Sequence, residues 1–273
     1  MFIVRQGEQS PRVTLLQILL NSQGYRGANK RELVVDGIYG KNTRIAVEAA
    51  QGTGPSRNGA VAGPELWSRL LEGTGLAVVS SVDVGDPELM KDVEILRRGG
   101  DKPIVLGGMC NGIAQMVSEV TSRAQGQEIV TLRLDGHGNL GRWFTVSVGE
   151  VVDLHHEDPA FAALVDKEDM SYIAASNFAK VAPTLRHLTP LFAPFGFAEH
   201  HGCSLGSRPH TRGMMKRLAN LWGVPIIVGI KLQDVGAVLD FSGPTFTAFP
   251  GRHDLRSWSR QFEHTEVAGM CHA

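Results

Sequence analysis

From residue 76 onward, short β-branched apolar runs alternate with helical segments, and that rhythm admits few folds. LAVVSSV (76–82), PIVLGG (103–108), EIVTLRL (128–134), GFAEHH (196–201) and VPIIVGI (224–230) read as the main strands. KDVEILRR, the stretch from about Asn111 to Ala124, SNFAKVAPTLRHLTPLF and TRGMMKRLANLWG read as helices, and RWFTVSVG as a strand or hairpin arm. Strands alternating with helices imply a largely parallel sheet with helices on both faces. Residues from 241 onward are rich in Gly, Pro, Ser and His and carry no assignment.

The first segment reads differently. VTLLQILLNSQGY places Val13, Leu16, Leu19 and Leu20 on one helical face, with Gly24 as a stop. Residues 43–51 form a second short helix, which Thr43 is suited to cap, and Pro64 opens a third, PELWSRLL. The expected organisation is a small all-α domain over 1–73 and an α/β domain over 74–273 with an irregular tail. Residues 73–88 serve as a linker running into the first strand.

Hydrophobic residues make up 42% of the 273-residue chain, enough to bury a core and to exclude disorder by composition. A net charge of −1 argues against a nucleic-acid partner. No apolar run is long enough to span a membrane. The start, MFIVRQGEQSPR, lacks the pattern of a secretory signal, so the chain is expected to be cytoplasmic as synthesised. Three cysteines (Cys110, Cys203, Cys271) argue against a disulfide framework and leave room for a reactive thiol.

Two segments carry chemistry. Leu134-Asp135-Gly136-His137-Gly138-Asn139 leaves the end of one strand, and His200-His201-Gly202-Cys203-Ser204-Leu205-Gly206 leaves the end of another. Open α/β sheets bind ligands beyond the carboxyl ends of their strands, so this His and this Cys are expected to meet in one cleft. A neighbouring imidazole activates a thiol that is otherwise only a few per cent thiolate at neutral pH. Backbone N–H groups of Gly138 and Cys203 would then form an oxyanion hole. Taken alone, a glycine-flanked His also reads as a turn, and a Cys as a small buried apolar residue. The adjacent pairs at 155–156 and 200–201 make no chelate, because neighbours on a strand point to opposite faces, and no HExxH helix is present. Neither a metal nor a cofactor is expected.

Resemblances sharpen this reading. VTLLQILLNSQGY, VDGIYGKNTRIAVEAAQ and NGAVAGPELWSRLL together resemble the peptidoglycan-binding repeat family. Ala50 stands where that family usually has an aromatic, and VAGPELW carries an extra residue. The resemblance implies contacts to glycan or stem peptide from the loop around Asp36, Tyr39 and Asn42. The order of His137-Gly138 after the third strand, Cys203 after the fourth, then a helix and VPIIVGI, resembles the caspase-like cysteine peptidase superfamily. It implies Cys203 as nucleophile and His137 as general base or acid, with Asp83 or Asp234 as candidates for a pocket that takes a basic side chain.

Two rivals share these residues. His201-Gly202-Cys203 also resembles the LD-transpeptidase signature, although Ser204-Leu205 replace its arginine region and its fold is all-β. GGMCNGIAQMVSEV puts Cys110 at a helix N-terminus, as papain-like amidases place their nucleophile, with His137 or His155 as its partner. The expectation drawn from all of this is a bacterial cell-envelope cysteine hydrolase that cleaves a peptide or amide bond. Its partner would be peptidoglycan or a wall-associated peptide, reached by a non-classical export route. The non-enzymatic alternative is a wall-binding or interaction protein with a degenerate caspase-like domain.

Overall fold

Ser10 ends an extended lead-in and caps the first helix. Its hydroxyl accepts the Val13 N–H at 3.4 Å, and Pro11 takes the first helical position, where a missing N–H costs nothing. The structure is a computed structural model and describes residues 3–52, 60–84, 89–107, 112–139, 143–146, 171–233 and 240–267. Every residue of this helix, α1 (Pro11–Ser22), from Pro11 to Leu20 is buried, including Arg12, Thr14 and Gln17. A helix buried on all sides needs neighbours on all sides. The helices α2 (Lys41–Gln51) and α3 (Pro64–Leu71) touch it and supply only part of that cover.

The segment is not all-α. Its strand β1 (Val4–Arg5) pairs antiparallel with β2 (Val61–Ala62), and Gln9 bridges to Ile38. Val4 and Ala62 are completely buried, so their backbone groups need partners within the protein, and the ribbon provides them. The cap assigned to Thr43 is also corrected. The second helix starts at Lys41 behind Gly40, with no side-chain cap. Thr43 instead lies buried on its first turn, accepting a hydrogen bond from the Gln17 amide at 3.3 Å.

The remaining elements, in chain order, are β3 (Leu76–Asp83), α4 (Met90–Arg98), β4 (Ile104–Leu106), α5 (Gly112–Ala124), β5 (Glu128–Asp135), β6 (Gly138–Asn139), β7 (Trp143–Thr145), β8 (Tyr172–Ala174), α6 (Phe178–Leu185), β9 (Phe192–His201), α7 (Pro209–Trp222), β10 (Ile226–Gly229), β11 (Thr245–Ala248) and α8 (Leu255–Ser259). Six of the strands form one sheet in the order β4-β3-β5-β9-β10-β11. The first five run parallel, and β11 closes the edge antiparallel to β10. A small antiparallel sheet, β6-β7-β8, is inserted between β5 and β9.

Crossover handedness explains where α1 goes. Parallel connections are right-handed, so the direction of travel decides which face the helix covers. The chain moves one way from β3 to β4 through α4, and the opposite way for the crossovers that carry α5, α6 and α7. Accordingly α5, α6 and α7 share one apolar cluster with Val79, Leu132, Leu134, Ala198 and Val228. The helix α4 packs on the other face, over Val82. Among the described residues no crossover helix covers that second face over β5, β9 and β10, and α1 fills the gap. A single cluster runs from Leu15, Leu19 and Trp67 to Val130, Phe195, Phe197 and Ile227, crossing the sequence boundary at 73–74. Burying each of these phenylalanines contributes about 2–3 kcal/mol, which makes α1 a structural layer of the sheet.

Candidate active site

The loops that leave β5 and β9 touch through their backbones. A Cβ built on Gly138 would lie 2.5 Å from the Cys203 carbonyl oxygen, 2.8 Å from its nitrogen and 3.0 Å from the Gly202 carbonyl carbon. Only glycine permits that approach. Gly202 is crowded in the same way, by the Phe144 ring 2.6 Å from the same hypothetical position. The small sheet thus presses on the turn that carries the thiol. His137, one residue before Gly138, and Cys203 therefore sit on adjoining loops at one rim of the sheet, half-buried rather than sealed in the interior.

The Cys203 turn is held firmly. Ser204 adopts a left-handed conformation with φ +58°, which is uncommon for a residue with a side chain. Its N–H donates to the Lys231 carbonyl at 2.9 Å, and Gly206 N–H donates to the Gly229 carbonyl at 2.8 Å. The Cys203 sulfur accepts the Gln233 N–H at 3.4 Å. The same thiol reaches the Gln233 carbonyl at 3.9 Å as a donor, so both backbone groups of Gln233 hold the sulfur in place.

One and two strands away, the carboxyl ends of β5 and β3 bring buried acids together. Asp83, Asp92 and Asp135 are 1%, 2% and 4% exposed. Asp92, from α4, hydrogen-bonds Asp135, the last residue of β5. Burial and the neighbouring Asp92 push the Asp135 carboxyl well above the usual range, with Asp83 adding to the rise and Arg133 opposing it. Burial also raises Asp92, while His137 and Lys91 favour its charged form. A hydrogen bond between two carboxyls requires a proton on one of them, and the burial of both favours keeping it. Asp83 thus stands in a buried acid cluster at the end of its strand.

A carboxyl held protonated contributes least to stability once the pH is high enough to ionise it in the unfolded chain. Asp135→Asn keeps the hydrogen bond to Asp92 and removes that loss. The variant should melt at a higher temperature than the parent at pH 8, with the gain shrinking as the pH falls toward 4. Paired melting curves at the two pH values check this, and a lower melting temperature at pH 8 would contradict it.

The histidines of β9 point to opposite faces, as adjacent strand residues must. His200 lies between Phe144 and Trp222, with ring centroids at 4.8 and 6.0 Å, and neither ring nitrogen has a hydrogen-bond partner among the described residues. Burial lowers its pKa to about 3. His201 faces α1, and its Nε2 lies 3.0 Å from Glu199 Oε2. Burial outweighs that carboxylate and lowers His201 to about 4. Among the described residues, no group of three His, Cys, Asp or Glu side chains is arranged to hold a metal ion.

Other expected site residues fall elsewhere. Tyr39 is 1% exposed and donates its hydroxyl to the Ala60 carbonyl at 2.8 Å, so its ring is core and not a ligand contact. Asp36 braces its own turn, accepting the Ile38 N–H and the Gln17 amide, each at 2.9 Å. Asn42 is exposed and accepts the Ala28 N–H at 3.3 Å. Asp234, Cys110 and His155 lie outside the described residues. A parallel sheet flanked by helices does not suit the all-β transpeptidase alternative.

No protein-family model, curated protein or solved structure matches this chain. The site must therefore be read from its own geometry. Sequence reasoning passed over Glu199, Arg133 and Arg12, which form an ion-pair cluster under the Cys203 turn. The available signal was a charge at alternate positions in otherwise apolar strands, Arg133 in EIVTLRLD and Glu199 in FAPFGFAEHH.

Proposed function

We propose that this protein is a cysteine hydrolase that cleaves a peptide or amide bond by acyl transfer, with Cys203 as nucleophile and His137 as general base and then acid. The observation that carries the reading is the backbone contact of Gly138 with Gly202 and Cys203, which joins two loops far apart in sequence. In the first step the thiolate sulfur bonds to the scissile carbonyl carbon, and the leaving amine takes its proton from His137. Water then releases the acid and restores the thiol. N–H groups of Gly138 and Cys203 would stabilise the negative oxygen that forms between these steps. The proposal includes the caspase-like resemblance, supported by a sheet in which His137 follows the third strand in chain order and Cys203 the fourth.

Iodoacetamide alkylation followed by peptide mass spectrometry tests the thiol. Cys203 should be alkylated at pH 6 at least tenfold faster than Cys271, because the His137 imidazole would accept the thiol proton as the sulfur attacks. His137→Ala should abolish the difference. Equal rates for the two cysteines in the parent protein would refute the dyad.

The tethering part of the proposal rests on the resemblance of residues 1–73 to peptidoglycan-binding repeats, with exposed Asn42 as its remaining contact candidate. Purified sacculi should co-sediment the full chain. Recovery in the supernatant would remove the tether and leave the cysteine chemistry standing.

A further inference from the structure

A chain of short polar contacts leads from the first helix to the Cys203 sulfur. The Arg12 guanidinium forks. Its Nε meets Glu199 Oε1 at 2.5 Å and its NH1 meets Asp240 Oδ1 at 2.6 Å. The first arm grips the end of β9. There the other Glu199 oxygen takes Arg133 at 3.2 Å and His201 at 3.0 Å, two residues before Cys203. The second arm grips the segment that supports the sulfur. Asp240 accepts the Phe241 N–H at 2.9 Å, and the Phe241 ring stacks on His201 at 4.2 Å with the planes 7° apart. The next residue, Ser242, donates its N–H to the Gln233 side-chain oxygen at 3.0 Å, and the Gln233 N–H reaches the Cys203 sulfur at 3.4 Å.

We propose that Arg12 is a positioning residue for the Cys203 thiol, so that the N-terminal helical layer is part of the catalytic apparatus. The inference rests on the reading of Cys203 as nucleophile and adds that a residue nearly two hundred positions away sets its reactivity. Arg12 suits the task because a planar guanidinium spans two carboxylates in fixed directions, which a lysine ammonium does not. Opposite charges face one another throughout, with Glu8 also near Arg12 and Asp135 near Arg133. Arg12 and Arg133 face Glu199 and Asp240, while His201 is neutral. Arg12 is buried and Asp240 only partly exposed, so the fork is shielded from competing water.

The test uses the full chain and the rate of Cys203 alkylation by iodoacetamide between pH 5 and 9. Arg12→Lys keeps a charge near Glu199 and loses the fork. Asp240→Asn breaks the outer arm alone. Each is expected to slow alkylation at pH 6.5 by about 10-fold or more, as a small displacement of a reacting group does, and to move the acid limb of the profile to higher pH. Asp240→Asn is chosen because Glu199 keeps both of its arginines, so folding survives and cooperative melting can confirm it. Parental profiles in a folded Asp240→Asn protein and in Arg12→Lys would overturn the inference while the dyad stands. If His137→Ala leaves the parental profile unchanged, the dyad fails and takes this inference with it.

Discussion

Replacing Glu199 with alanine should cost about 3–5 kcal/mol of stability, a large share of what a domain of this kind possesses. Glu199 has no exposed side-chain surface and receives Arg12, Arg133 and His201 together. The two guanidinium groups hold its carboxyl well below the usual range, overcoming the burial that would raise it. Truncation deletes the one acid that both arginines share. Arg133, completely buried, then keeps its charge without that counterion, and Arg12 loses the nearer of its two ion-paired carboxylates. An isolated buried charge is far costlier than a paired one, so the stranded arginine accounts for more of the penalty than the hydrogen bonds that Glu199 had accepted. Urea unfolding followed by circular dichroism measures it. A loss below about 1 kcal/mol would mean that water reaches the arginines and that the cluster is not the dry network described. The double replacement of Glu199 and Arg133 by leucine and methionine should recover part of the loss, because it removes the stranded charge as well.

Acid should weaken the protein well before most carboxylates titrate. His200 and His201 are held neutral with pKa values of about 3 and about 4, whereas the unfolded chain binds a proton at each near 6.5. Below that value the unfolded state carries two protons that the folded state refuses. The histidines' share of stability is therefore complete above about pH 6.5 and falls as the pH drops through 5 toward 4 and 3, against the opposite trend of Asp135. At pH 5 each ring costs about 2 kcal/mol, and the pair about 4 kcal/mol. Glu199, whose carboxyl is lowered by its arginines, adds a loss at still lower pH, as its stabilisation fades below the ordinary carboxylate range. Comparing urea midpoints at pH 7.5 and pH 5 in the Asp135→Asn background, where the opposing carboxyl is gone, checks the sign. His200→Leu should flatten the dependence, since that ring lies in an apolar slot and brings no hydrogen bond with it. A midpoint unchanged between the two pH values would show that one or both rings take up a proton in the folded protein.

Much of the sheet was legible because β-branched apolar runs of strand length have few other uses. LAVVSSV, EIVTLRL and VPIIVGI each became a parallel strand within a residue or two of the expected bounds. The closing strand β11 escaped because TFTA is half-exposed and flanked by Gly and Pro, which leaves no buried periodicity to find. The role of α1 was misjudged for a physical reason. Its apolar residues suit a one-sided helix, and Arg12, Thr14 and Gln17 look like a solvent face until the sheet covers them. The glycines flanking His137 and Cys203 are visible in the sequence, but the backbone contact they permit between the two loops emerges only from the fold. Asp92 gave no such warning. An acid in the first turn of KDVEILRR is what any exposed helix would carry to oppose its dipole, and only tertiary packing turns it inward.

The position of α1 also sets a schedule for folding. Arg12 and Glu199 are 187 residues apart, so the helix leaves the ribosome long before the strand it rests on exists. Contacts between such distant segments are slow to form, and the waiting surface is apolar. A nascent chain of this protein therefore spends most of its synthesis with a helix that α2 and α3 shelter on one side only, while its other apolar face waits for the last strands of the sheet.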